Sequence, residues 1–172
     1  METETVNSIK YLIGDATEPQ GEGFKVVVHI CNSIGGWGAG FVMALSKKWK
    51  QPEKKYREWY AKKKSSIGRP FGLGEIDLVK VENDIIICNL IGQEDIASRA
   101  NVPPIRYDAV EKGLEALSNI LQKHKGSSVH GPRFGSGLAG GTWDKIEAII
   151  IKTLIEKGIS VTIYDLKDQQ NN

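Results

Sequence analysis

The chain has 172 residues, 40% of them hydrophobic and 26% charged, with a formal net charge of +2; these are the proportions of a globular protein long enough for one substantial core, and they exclude a binder of polyanions driven by net charge. No apolar run approaches the ~20 residues of a membrane-spanning helix, and the N-terminal METETVNSIK has no apolar signal core, so a cytoplasmic protein without a membrane partner is expected. Two cysteines, Cys31 and Cys88, both inside apolar runs, and three scattered histidines, His29, His124 and His130, exclude a disulfide framework and a zinc-type ligand set, and no metal is expected.

Residues 9–13 alternate as a strand does and end at Gly14-Asp15, after which residues 16–24 form a loop. Residues 25–31 are apolar on both faces, which predicts a strand inside a sheet covered on both sides. A glycine loop follows over residues 32–42, NSIGGWGAGFV, and leads into a helix over residues 41–49. Pro52 stops that helix or starts the next, expected over residues 53–63. Residues 68–74 form a turn region. An edge-like strand over residues 75–81, the turn Asn83-Asp84 and a strand over residues 84–90 predict a hairpin. Residues 92–105 read as a long loop. From Arg106 to Lys123, Tyr107, Val110, Leu114, Leu117 and Leu121 fall at spacings of three and four, the stripe of an amphipathic helix.

A short strand over residues 127–130 precedes a second glycine loop, Gly135-Ser136-Gly137-Leu138-Ala139-Gly140-Gly141. Thr142 is the expected N-cap of the last helix, with Asp144 in its first turn and Gly158 as its stop. Residues 159–164 form the final strand, and residues 167–172 a polar tail. Six strands and four helices in mixed order predict an α/β fold of three α/β/α layers around a mixed sheet. No linker or repeat divides the chain, so residues 1–172 are expected to form one domain with an ordered core over residues 8–166.

The lysines between Lys47 and Lys64, interleaved with Trp49, Tyr56, Trp59 and Tyr60, read as solvated helix faces rather than a nucleic-acid patch. The two glycine loops carry the chemistry. Each follows a strand and precedes a helix, where unpaired backbone N–H groups and the positive end of the helix dipole favour an anion. Glycine lets a phosphate approach the backbone closely. Gly135-Ser136-Gly137-Leu138-Ala139-Gly140 also fits G-x-G-x-x-G, with Asp165 placed as a ribose acid, which predicts a nicotinamide oxidoreductase. That reading leaves no room for the second half of a doubly wound fold and does not explain residues 32–42. Two loops closing on one diphosphate explain both.

In five stretches the sequence resembles the macrodomains, which bind ADP-ribose: Gly14-Asp15-Ala16; Val28 to Ser33 with Gly36 to Phe41; Pro103 to Tyr107; Pro132 to Leu138; and Val161 to Leu166. The variant resembles the class of terminal ADP-ribose protein glycohydrolase and a chromatin-remodeller macrodomain. The resemblance implies that Asp15 accepts a hydrogen bond from the adenine amino group beside the Ala16 backbone, and that Tyr164 flanks the ring. It implies further that Gly38, Ala39 and Gly40 donate N–H groups to one phosphate and Ser136, Gly137 and Leu138 to the other, that Asn32 meets the distal ribose, and that Gly36, Trp37, Phe41, Gly135 and Ala139 belong to the same ligand-binding set. On the residues alone, Asp15 also fits a turn, Tyr164 core packing and Asn32 a cap on its own loop.

The glycohydrolase of this class works through a lysine and an aspartate. The resemblance puts Gln93 and Ala139 at those positions, and neither can form a Schiff base or act as an acid. No residue is therefore assigned as catalytic, and His29 reads as a satisfied core histidine rather than a base. Three activities are expected in turn. The first is slow hydrolysis of ADP-ribosyl esters (mono-ADP-ribosylated acidic residues or related derivatives) by a water set by the ligand's own phosphate; the second is binding of ADP-ribose or an ADP-ribosylated protein without turnover; the third is the oxidoreductase. No cofactor is expected for the first two.

Overall fold

The structure, a computed structural model, describes residues 8–95, 103–137 and 139–166. Its strands are β1 Lys10–Ile13, β2 Lys25–Asn32, β3 Ile76–Glu82, β4 Ile85–Gln93, β5 Ser128–Gly131 and β6 Ser160–Asp165, and its α-helices are α1 Phe41–Lys48, α2 Gln51–Lys62, α3 Tyr107–Leu121 and α4 Trp143–Thr153. One sheet runs β1-β6-β5-β2-β4-β3. Every neighbouring pair is parallel except β3 with β4, the expected hairpin. The sheet is therefore mixed, and β3 is an edge.

The alternation of β2 splits its side chains between two cores. Val26 and Val28, with Cys88 of β4, face α3 and α4, where Val110, Leu114, Leu117, Ile146 and Ile150 are buried. Val27 and Cys31 face α1 and α2 and pack with Leu45, Tyr56 and Trp59. The expected three layers are thus α1/α2, sheet, and α3/α4. Both cysteines are free and buried, one in each core. Gly113 lets α3 lie close on the sheet: a Cβ there would stand 2.5 Å from Leu90.

Several boundaries differ from expectation. α2 begins at Gln51, with Pro52 inside its first turn, where the missing N–H costs no helical bond. β4 runs three residues beyond 90, to Gln93, because a register shift in β2 brings Asn32 opposite Gln93. Gln93 also bridges to Ile105. Of the expected loop over residues 92–105, residues 96–102 lie outside the described residues, as does the tail over residues 167–172. Thr142 is at the N-cap of α4 with extended φ/ψ, but its side chain makes no capping bond. Its backbone amide instead donates to the Tyr107 hydroxyl. α4 gives way to the 3-10 turn Ile155–Lys157 before Gly158 closes it with a φ of 81°. No described helix is long and apolar enough to cross a membrane.

Candidate functional site

A cleft of about 1210 Å³ lies at the carboxyl ends of the parallel strands, the place where open α/β sheets hold ligands. Four segments wall it: residues 14–16 after β1, residues 39–42 and Ala44 from the first glycine loop and α1, residues 132–137 with Ala139 from the second loop, and residues 164–166 at the end of β6. His29, Ile30 and Gln93 complete the wall. The two glycine loops therefore face one space, as a shared ligand requires.

The first loop is built by Asn32. Its Oδ1 accepts from the amides of Ile34 at 3.1 Å and Gly36 at 2.9 Å, and its Nδ2 donates to the Gly36 carbonyl at 2.8 Å. Tyr56 of α2 donates its hydroxyl to the same side chain and backbone. The Asn32 amide is thus a cap on its own loop, and both polar groups of Gly36 are used there as well. Trp37 turns inward, where it packs among the α1/α2 core and donates its indole N–H to Ser46 Oγ at 2.7 Å. Asn32, Gly36, Trp37 and Gly38 do not line the cleft. They hold in place the residues that do, and Gly38 leads the chain out of the turn with open space where its Cβ would be.

Gly40 caps α1 with φ 84° and ψ −149°, a conformation open to glycine alone. It turns the chain so that Ala39, Gly40, Phe41 and Val42 all line the cleft. Among the described residues none of these four has a backbone or side-chain acceptor, and α1 has no acid in its first turn. In the second loop, Gly135 at φ 81° packs against Ile105 and Ile146, and its carbonyl takes the Gly141 amide at 2.9 Å. Ser136 Oγ donates to the Arg133 carbonyl at 2.7 Å. The amides of Gly135 and Gly137 have no acceptor among the described residues. Leu138 lies outside the described residues.

Asp15 and Tyr164 stand together at one end. Asp15 Oδ1 accepts from the Thr17 amide and hydroxyl at 2.8 and 2.7 Å, while Oδ2 has no partner among the described residues. The turn role and an open acceptor coexist in one carboxylate. Ala16 is buried at the cleft wall. Tyr164 is both core and wall: it is 3% exposed, yet it lines the cleft and lies beside Gly14.

Next to them Arg133 donates to both oxygens of Asp165 at 2.7 and 2.9 Å, with its guanidinium 5.1 and 5.3 Å from the ring centres of Tyr11 and Trp143. Asp165 is therefore paired bidentately with Arg133 at the cleft wall. The pair joins the ends of β5 and β6 across 32 residues; only the adjacency of those strands could have revealed it.

At the other end Gln93 lines the wall and donates Nε2 to the Asp95 carbonyl at 2.9 Å. His29 is half of what was expected. Asn89 Oδ1 can only accept, so His29 Nε2 carries the ring proton and donates to it. Asn89 Nδ2 donates in turn to the Pro52 carbonyl, which ties β4 to α2. The Nδ1 of His29 is buried without a partner, and burial lowers the group to about 4, so the ring is neutral at physiological pH. No group of three or more His, Cys, Asp or Glu side chains suited to a metal occurs among the described residues.

No family model matches the chain. Chromodomain-helicase-DNA-binding protein 1-like from Danio rerio and from Mus musculus is 30% and 33% identical to it over 91% of its length, and the chain spans only 15% and 18% of those proteins. An ADP-ribose 1''-phosphate phosphatase from Lodderomyces elongisporus is 25% identical over 84% of the chain and 92% of its own. A solved structure of a macrodomain protein from Streptomyces coelicolor is 41% identical, with a TM-score of 0.78 over 92% of this chain and 99% of that one. Identity of that order along the whole of a macrodomain, on the same arrangement of sheet and glycine loops, makes this chain a member of the macrodomain family.

Proposed function

We propose that the chain binds ADP-ribose in the cleft and releases it slowly from ADP-ribosyl esters. The observation that carries this reading is the meeting of two sets of uncommitted amides, those of residues 39–42 and those of Gly135 and Gly137, on one cleft that ends at Asp15. A diphosphate fits between the loops because it brings only acceptors to a wall of donors. Adenine fits the Asp15 end because its exocyclic amine donates where an oxo-purine would accept. The relative whose name is ADP-ribose 1''-phosphate phosphatase supports the ligand class and hydrolysis near the distal ribose.

The ester chemistry needs little from the protein. Water supplies the hydroxyl, the carboxylate leaves with the bonding pair, and the water's proton passes to the ligand phosphate and on to solvent. Gln93 and Ala139 provide no acid or base for it, and His29 is neutral and buried. Those same side chains favour a second reading, a domain that binds ADP-ribosylated protein without turnover.

Calorimetry with ADP-ribose and NAD tests the first step: tighter binding of NAD overturns the proposal. Incubation with a protein mono-ADP-ribosylated on glutamate tests the second, and no release over hours leaves the binding domain. A single macrodomain over residues 1–172 acting in the cytoplasm completes the proposal.

A further inference from the structure

We propose that His130 is a positioning residue for the cleft: through the Tyr164 hydroxyl it fixes the loop that carries Asp15. His130 and Tyr164 are 2% and 3% exposed and their rings stack at 5.7 Å and 30°. The Tyr164 hydroxyl lies 2.8 Å from His130 Nδ1 and 2.8 Å from the backbone nitrogen of Gln20, and His130 Nε2 lies 2.7 Å from Ser128 Oγ.

The direction of these bonds follows from their ends. The Gln20 amide can only donate, so the tyrosine oxygen accepts from it and has its own proton to give. Nδ1 accepts that proton when the ring proton is on Nε2, which then donates to Ser128 Oγ. Burial, with Lys25 nearby, lowers His130 to about 4, so one ring nitrogen is bare at neutral pH. A chain of three bonds thus runs from the buried side of β5, through β6, to a loop amide.

That loop has few other anchors. Lys48 donates to the Thr17 carbonyl at 2.7 Å, and Lys25 donates to the carbonyls of Gly21 and Gly23. Between them, the Gln20 amide is held by Tyr164 alone. Gln20 is linked to the cleft by a tight turn, in which the Glu18 amide donates to the Asp15 carbonyl at 2.9 Å. Loss of the His130 acceptor leaves the tyrosine hydroxyl free to rotate, the Gln20 amide loosely held, and Asp15 without a fixed distance from the Tyr164 ring.

The inference rests on the reading that adenine lies against Asp15, and one of its measurements does not. Hydrogen exchange of the Gln20 amide, without ligand, is expected to quicken roughly tenfold in His130→Phe and in Tyr164→Phe, the effect of one lost hydrogen bond. His130→Asn, which keeps an acceptor near Nδ1, is expected to restore it. With ligand, the preference for ADP-ribose over its hypoxanthine analogue is expected to fall about fivefold in His130→Phe, with no further fall in the double variant, since the two residues act in series. Unchanged Gln20 exchange in folded His130→Phe overturns the inference. Should that variant not fold, the nitrogen resonance of His130 Nδ1 in Tyr164→Phe decides: a shift to an unbonded nitrogen supports the chain of bonds, and no shift overturns it. Wild-type protein that ignores ADP-ribose defeats the proposed function and leaves the exchange result standing.

Discussion

Gly137 is the residue at which one side chain tests the cleft. It lines the wall, its φ is not in the left-handed region, and nothing lies within 4 Å of where a Cβ would be. Gly137→Glu is therefore expected to fold and melt like the wild type while losing ADP-ribose binding in calorimetry, because a carboxylate then occupies the place proposed for a phosphate. Asp15→Ala is expected to weaken binding of ADP-ribose by about 1–3 kcal/mol, the range for a hydrogen bond to a charged group, and to leave any affinity for inorganic pyrophosphate unchanged. The placement of these residues at the cleft wall was legible because glycine and aspartate cluster where strands end, and a parallel sheet opens its cleft at those ends. Asn32 and Trp37 were not legible in the same way. An asparagine amide caps a loop and meets a ribose with the same donor and acceptor, and only the four bonds to Ile34, Gly36 and Tyr56 separate the two uses.

Among the elements, α1 depends on its first turn. Gly40 there adopts φ 84° and ψ −149°, and Gly40→Ala is expected to destabilise the protein by about 1–3 kcal/mol in denaturant melts and to weaken ligand binding together with it. That joint loss distinguishes it from Gly137→Glu, which touches binding alone. Strand and helix order could be read in advance because β2 is a continuous apolar run and the period of 3.6 is strong in α3 and α4. The end of β4 could not: Gly92 and Gln93 look like loop residues, and pairing with the shifted end of β2 makes them strand. The Arg133–Asp165 pair was hidden for a related reason, since charges on separate elements meet only through sheet order.

For the whole molecule, two buried histidines set the response to acid. His29 and His130 are each lowered by burial to about 4, against an ordinary value near 6.5 in the unfolded chain. Between those values the unfolded state binds more protons, so stability falls as pH drops from about 6.5 to about 4, by about 3 kcal/mol for each ring, and neither contributes a change above that window. Asp77, raised by burial, titrates in the opposite sense, as one group against two. Urea melts at pH 7.5 and 4.5 are expected to show the net loss, and an equal midpoint at both would contradict it.

The two cysteines give this fold a built-in way to watch its layers separate. Cys31 is sealed on the α1/α2 side and Cys88 on the α3/α4 side, and burial raises both thiols above their ordinary range, so neither reacts while the structure is closed. Alkylation followed by peptide mass spectrometry therefore times each side independently. Cys31 modified ahead of Cys88 would mean that the half holding the first glycine loop breathes while the rest stays shut, and that ligand entry can draw on a motion the molecule already has.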